Sequence, residues 1–341
     1  MSNSLIPYAE SFAQPQGPGD ARPTALQVIR DNDLVNKWTG RVVLITGATS
    51  GIGIETARAL HATGADVYIT ARNAEKAFGV ITDIRNSSEG RGALVAIDMD
   101  MDSLDSVKKA AKDFLTESDG KLNILINNAG IMATPAGSKT QDGFESQFGV
   151  NHLAHYTLTA LLLPTLIKSS TPSFNSRVVA LTSNGHRYSP VRFDDVNLTH
   201  DYDPWLAYGQ SKTACIWLAN HIDRVYGAQG VHTNSVHPGG IATGLQVNLS
   251  QDVMAEWGKD PALMAVFQSA EQGAATTVWA AVAPVWEGKG GKYLTNCSVG
   301  EPAKDGFDIK DYGFAPHVYD EEGEEKLWAL SEELTGVKVE I

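Results

Sequence analysis

The 341-residue sequence predicts an α/β fold: one doubly wound domain in which a seven-stranded parallel sheet is flanked by helices. Short β-branched apolar runs alternate with helical stretches through the middle of the chain. A glycine-rich turn separates the first such run from the helix after it. With 43% apolar residues the chain can bury a full core, and it contains no second core, repeat or low-complexity tract.

In chain order, strand-like runs fall near 42–46, 66–70, 93–97, 122–126, 177–182, 231–236 and 292–295. The first, Arg41-Val-Val-Leu-Ile-Thr46, is a near-continuous apolar run, as a strand buried on both faces requires. It breaks into Gly47-Ala-Thr-Ser-Gly51-Ile-Gly53 and then into the helical Ile54–Leu60. Strand, glycine turn and helix together form the Rossmann-type context for a dinucleotide. Glycines admit the pyrophosphate close to the backbone, and free N–H groups at the helix start attract its charge.

The second strand, Asp66–Thr70, ends in Ala71-Arg72-Asn73. An NAD site usually has an acid there for the ribose hydroxyls. This chain instead has Arg72, 19 positions after Gly53, whose fork of donors suits a 2′-phosphate. NADP(H) is therefore expected in preference to NAD(H). Asp98, at the end of Ala93–Ile97, is expected beside the adenine.

Farther on, Tyr208-Gly-Gln-Ser-Lys212 places a phenol and an ammonium one helical turn apart on one face. A phenol ordinarily titrates near about 10 and is a poor proton carrier at neutral pH without a cation to stabilise its phenolate. Hydride chemistry at one end and proton chemistry at the other indicate an oxidoreductase acting on a carbonyl or alcohol.

Thr46-Gly-Ala-Thr-Ser-Gly-Ile-Gly53, Asn127-Asn-Ala-Gly130, Asn151, Ser183, Tyr208/Lys212 and Pro238-Gly239 occur in an order and spacing that resemble the short-chain dehydrogenase/reductase family over roughly residues 38–300. The resemblance is strongest to the retinol-dehydrogenase-like branch, which includes WW-domain oxidoreductases and protochlorophyllide reductases. It implies that Tyr208 is general acid in reduction and general base in oxidation, with Lys212 supporting it and binding the nicotinamide ribose. It also implies that Ser183 holds the substrate oxygen and that Asn151 anchors a water between Lys212 and solvent. Thr182 is the neighbouring hydroxyl that competes for the role of Ser183. The cofactor set implied is Gly47, Thr49, Ser50, Gly51, Ile52, Gly53, Arg72, Asp98, Asn128, Ala129, Gly130, Tyr208, Lys212, Pro238, Gly239, Ile241 and Thr243. His237, a lone histidine at a strand end, is assigned a structural role.

Ser183 and Tyr208 are 25 positions apart, which leaves an insertion at about 184–204. A lid is expected at about 244–272, where Met254, Trp257, Met264 and Phe267 give an apolar lining to which Tyr202 and Trp205 add. Of these, Met254, Trp257 and Trp205 are the candidate substrate residues, for a small-molecule hydrophobic carbonyl or alcohol; the apolar, aromatic lining favours a bulky one, aromatic, polyketide-, terpenoid-, retinoid- or steroid-like. Residues 1–37 read as an N-terminal extension and 301–341 as a tail on the same domain. Met1–Asp20 is expected to be mobile or draped over the surface, with a helix over Thr24–Val35.

The net charge of −13 argues against nucleic-acid partners. The longest apolar run, Leu158–Ile167, is too short to span a bilayer and contains Pro164. Cys215 and Cys297 make no disulfide framework and suit a cytoplasmic setting; neither belongs to a metal-ligand cluster. The resemblance leaves open a homodimer through the helix near 205–226, against the insertion that precedes it. Two other functions fit the same residues: a catalytically silent NADP(H) sensor, and a dehydratase or epimerase that cycles its hydride.

Overall fold

The computed structural model describes residues 4–341. Eight strands form the main sheet: β1 (Val42–Ile45), β2 (Asp66–Ala71), β3 (Leu94–Asp98), β4 (Ile124–Asn127), β5 (Ser176–Leu181), β6 (Val231–His237), β7 (Lys292–Thr295) and β8 (Ser298–Val299). Their order across the sheet is β8-β7-β6-β5-β4-β1-β2-β3. Seven strands are parallel, as expected. The eighth, β8, pairs antiparallel with β7 at one edge. It closes a tight hairpin through Asn296 and Cys297, both with left-handed backbone (φ 51° and 50°). Such a turn is ordinarily marked by Asn-Gly or Asp-Gly. Here Cys297 occupies it, its N–H held by Thr276 Oγ1 at 3.0 Å, so the strand is silent in the sequence.

The flanking helices are α1 (Ala25–Asp31), α2 (Gly51–Ala62), α3 (Ala74–Ser87), α4 (Leu104–Glu117), α5 (Ala154–Ser169), α6 (Pro204–Tyr226), α7 (Gln251–Gly258), α8 (Pro261–Val266), α9 (Ala275–Val282) and α10 (Glu321–Thr335). One core layer joins α1, α2, α3 and α9 to the sheet, and the other joins α4, α5 and α6. The sequence encodes each by its apolar spacing. In α4, for example, Leu104, Val107, Ala110, Ala111 and Phe114 are buried on one face, and the Ser103 side chain caps the first turn. Pro164 sits inside α5 without ending it. Burial of Leu158, Leu162, Leu163 and Leu166 around it offsets the about 3 kcal/mol that an interior proline costs. No helix among the described residues is long and apolar enough to cross a membrane.

Of the N-terminal extension, residues 1–3 lie outside the described residues. The rest is draped and anchored: the Tyr8 hydroxyl donates to Asp31 (2.8 Å), and the buried Arg22 donates to the carbonyls of Val266 (2.8 Å) and Phe267 (2.6 Å) at the end of the lid. The C-terminal helix α10 lies along α6. Asn220 Nδ2 donates to Glu324 Oε1 (2.9 Å), Arg224 pairs with Glu324, and the rings of His221 and Trp328 stack at 4.4 Å.

Five histidines are held neutral by burial, which pushes His152, His186 and His237 down to about 3 and His155 and His221 to about 4. An unfolded chain binds a proton on each near about pH 6.5. The folded chain binds them only far below that, so stability is whole above about pH 6.5 and is lost as the pH falls toward 4. Urea midpoints measured from pH 7.5 to 4.5 are expected to drop steeply below 6.5; a flat profile would contradict neutral burial of these rings.

Candidate active site

The sheet order reverses between β1 and β4, and the cleft of the molecule opens at the carboxyl ends of the strands there. It measures about 1130 Å³, more than the roughly 300–1,000 Å³ of a single-ligand pocket. The glycine turn forms its floor. Gly47 and Gly51 have left-handed backbone (φ +67° and +53°). Gly53 sits where a Cβ would lie 2.5 Å from Gly47 O and 2.8 Å from Asn128 Nδ2. Ser50 precedes α2 in extended conformation, and its side chain makes no cap bond. The first N–H groups of α2 are thus available to an anion, and the cradle fits the pyrophosphate of a dinucleotide.

Asn128 braces this floor, donating from Nδ2 to Thr46 O at 2.8 Å. Thr46 Oγ1 in turn accepts the N–H groups of Asn128 and Ala129, both at 2.9 Å. A Gly53→Ala substitution overpacks the turn against its own carbonyl. It is expected to cost about 1–3 kcal/mol, read as a fall in the urea midpoint, and an unchanged midpoint would show that the turn can shift freely.

At the end of the cleft beside β2 and β3, Arg72 and Lys76 both line it and both are exposed. Asp98 does not reach it. Asp98 pairs opposite Ala71 as the last residue of β3 and faces solvent; the chain then turns Met99, Asp100, Met101 and Asp102 to the cleft. Burial, then the nearby Asp100, pushes the Asp102 carboxyl up, with the Arg72 charge opposing.

At the other end, Ser183 follows β5, and its Oγ accepts the Gly185 N–H at 3.0 Å and donates to Asn184 Oδ1 at 3.3 Å. The Thr182 hydroxyl instead donates to the Lys212 carbonyl at 2.8 Å. Tyr208 and Lys212 lie on successive turns of α6, each 4% exposed, with Lys212 Nζ 5.6 Å from the phenol ring centre. Lys212 Nζ also donates to Leu181 O at 3.2 Å. Gly185 lets the Tyr208 ring approach: a Cβ there would stand 2.8 Å from Cδ1 and Cε1.

Asn151 is fully buried in a π-helical turn, Gly149–Leu153, and lies behind the cleft wall. Its Oδ1 accepts the Ile131 N–H (2.8 Å), and Nδ2 donates to Ile131 O (3.0 Å) and Ser211 Oγ (2.9 Å). It stands close to Lys212: a Cβ on Gly130 would be 3.3 Å from both Asn151 Oδ1 and Lys212 Nζ.

Thus Gly47, Thr49, Ser50, Gly51, Ile52, Arg72, Asn128, Ala129, Gly130, Ser183, Tyr208, Lys212, Pro238, Gly239, Ile241 and Thr243 share one cleft, along with Trp205 and Trp257. Gly53, Asp98, Asn151 and Met254 lie outside its lining. Met254 is 40% exposed on the outer side of α7, because Val253 and Trp257, four apart, take the inward face. His237 lines the cleft, but burial holds it neutral, and its Nδ1 accepts the Asn184 N–H at 3.3 Å.

Residues 41–254 match the family model for short chain dehydrogenase. The chain belongs to the short-chain dehydrogenase/reductase family. It is 48% identical to "Short-chain dehydrogenase/reductase prx1" of Penicillium roqueforti, over 97% of this chain and 98% of that one. It is 36% identical to "Retinol dehydrogenase 14" of Homo sapiens over 87% of each, which places it in the retinol-dehydrogenase-like branch. A short chain dehydrogenase from Burkholderia cenocepacia, solved in complex with NADP, superposes with a TM-score of 0.60 at 26% identity, over 76% of this chain and 97% of that one. This short-chain dehydrogenase/reductase is accordingly an oxidoreductase of CH–OH groups.

Several lining residues of this dehydrogenase/reductase escape a reading of its sequence. Lys76 is one, although its place four after Arg72 was a usable signal. Gly185 from the insertion and Phe307 and Ile309 from the tail are others, whereas Tyr188 and Tyr312 lie in segments whose part in the pocket the sequence leaves open.

Proposed function

We propose that the protein is an NADP(H)-dependent oxidoreductase that interconverts a hydrophobic ketone or aldehyde and its alcohol. Tyr208 serves as general acid in reduction and general base in oxidation. The observation that carries this reading is a single cleft running from the glycine cradle to Tyr208 and Ser183. Gly47–Gly53 and the start of α2 would hold the pyrophosphate, with Asn128–Gly130 beside it. Pro238, Gly239, Ile241 and Thr243 would flank the nicotinamide. NADP(H), when bound, supplies or accepts the hydride.

In reduction the Tyr208 phenol hands its proton to the substrate oxygen, and the Lys212 ammonium on the same helix face stabilises the phenolate left behind. Ser183 Oγ–H, now given to Asn184 Oδ1 over a long 3.3 Å, is free to turn to that oxygen. Asn151 has its side-chain amide committed to Ile131 and Ser211, so its proposed role is to brace Gly130 and α6 around Lys212 rather than to anchor a water.

NADP(H) over NAD(H) is supported by Arg72 with Lys76 and by the absence of an acid at the end of β2. A relative solved with NADP adds to this. The name of the human relative, a retinol dehydrogenase, speaks for a hydrophobic alcohol. A homodimer through α6 would have to form around α10, which covers that helix. The proposed unit is therefore the single chain, in a cytoplasmic setting that suits its buried free thiols Cys215 and Cys297.

Purified protein is expected to consume NADPH when given a hydrophobic aldehyde or ketone. Tight NADPH binding without turnover across a broad carbonyl panel would favour a sensor. Product without net NADPH loss would favour hydride cycling.

A further inference from the structure

We propose that the tail loop Gly306–Tyr312 is the specificity wall of the substrate compartment, and that Phe307, fixed by Arg187, selects bulky polycyclic carbonyls over small ones; this rests on the oxidoreductase reading above. The loop is closed at its base, where Ala303 N–H donates to Phe314 O (2.8 Å) and Phe314 N–H donates to Glu301 O (2.9 Å). Its tip is folded around one side chain from the insertion. The Arg187 guanidinium, 6% exposed, donates to Gly306 O (2.6 Å) and Asp311 O (2.9 Å) and lies 3.4 Å from the Asp311 carboxylate. Asn184 Nδ2 adds a bond to Ile309 O at 2.8 Å. A planar fork with five donors is suited to templating several carbonyls at once, which a lysine in its place would not do.

So held, the loop presents Phe307 to the cleft. Its ring stacks on Tyr188 at 4.4 Å; Tyr188 lies 5.7 Å from Trp205, and Trp205 lies 6.5 Å from Tyr208. A continuous aromatic wall therefore runs from the proton donor to the mouth. Val253, Trp257 and Leu263 of the lid contribute apolar lining to the same cleft. Lys310 reaches Asp260 at the start of α8 (3.4 Å), so loop and lid are tied together. Phe307 itself is 44% exposed, a large aromatic face left open at the entrance. A rigid, wide hydrocarbon skeleton whose carbonyl reaches Tyr208 would cover that face; a two- or three-carbon aldehyde would not reach it.

The test compares trans-1-decalone with propanal in the intact enzyme. Phe307→Ala is expected to lower the ratio of kcat/KM for decalone over propanal by about tenfold or more. Arg187→Gln is expected to lower the same ratio and to speed proteolytic cutting within 304–312. Because Arg187 is buried and its loss can weaken the fold, the half-exposed Phe307 carries the decision. An unchanged ratio in Phe307→Ala would overturn the proposal.

Calorimetric titration of decalone into the enzyme–NADP⁺ complex reads the same difference without turnover. Wild-type protein that binds decalone, loses about tenfold in affinity with Phe307→Ala, and reduces neither carbonyl would refute the oxidoreductase reading and uphold the wall. Wild-type protein that reduces propanal but neither binds nor reduces decalone would refute the wall alone.

Discussion

Replacing Tyr208 with phenylalanine is expected to lower kcat for NADPH-dependent carbonyl reduction by about 10² to 10⁴-fold, the usual contribution of a positioned general acid. The substitution removes one oxygen and leaves the ring, which packs against Gly185 and Trp205. A general loss of packing is therefore not the cause of any fall in rate. The loss is expected in kcat, with a much smaller change in the NADPH dissociation constant, because the cradle at Gly47–Gly53 is built without the phenol oxygen. Single-turnover reduction under saturating NADPH is the measurement. Tyr208→Phe protein that turns over at the wild-type rate would remove this residue from the chemistry. Lys212 is the wrong place to begin. Its Nζ holds Leu181 O and its backbone carbonyl holds Thr182, so its removal would confuse support of the fold with support of the phenolate.

Arg72→Asp is expected to reverse cofactor choice. Arg72 and Lys76 are the cations at this end of the cleft, with Asp100 and Asp102 nearby. Loss of a charge-assisted contact costs about 1.5–3 kcal/mol, and the new carboxylate adds repulsion. The kcat/KM for NADPH is expected to fall by about 10²-fold, whereas NADH, which lacks the phosphate, loses far less and can gain through its ribose hydroxyls. The wild-type KM for NADPH is expected to rise with ionic strength, since both cations are solvent-exposed and screened. Equal losses for the two nucleotides would mean that Arg72 does not read the phosphate.

The glycine turn and the Tyr208/Lys212 pair are legible in the sequence because their geometry is local. Backbone freedom at Gly47 and Gly51, and one turn of α6, place these side chains and backbone groups whatever surrounds them. Asp98 and Met254 fall outside the lining of the cleft for a related reason. Each is one position out of phase with the residue that faces the cleft, and that phase is set by where β3 and α7 begin and end. The edge strand β8 hid behind a cysteine in a turn usually made with glycine. In the sequence Tyr312, Phe314 and Tyr319 leave open whether the tail wraps the domain or closes the pocket, and nothing local decides between the two. Arg187 meets carbonyls more than a hundred positions away, and no run of residues near Phe307 announces that partnership. The roles of the tail and extension are consequences of tertiary contacts that local propensity does not encode.

The contact between α10 and α6 has a further consequence. The back of the helix that carries Tyr208 is covered by α10 of its own chain, through Glu324 and Trp328, while Ser331 of α10 meets His152 at 2.8 Å beside the turn that seats Asn151. The support behind Tyr208 thus comes from a segment of the same chain, and clipping the chain ahead of Glu321 is expected to bare that face of α6 to solvent.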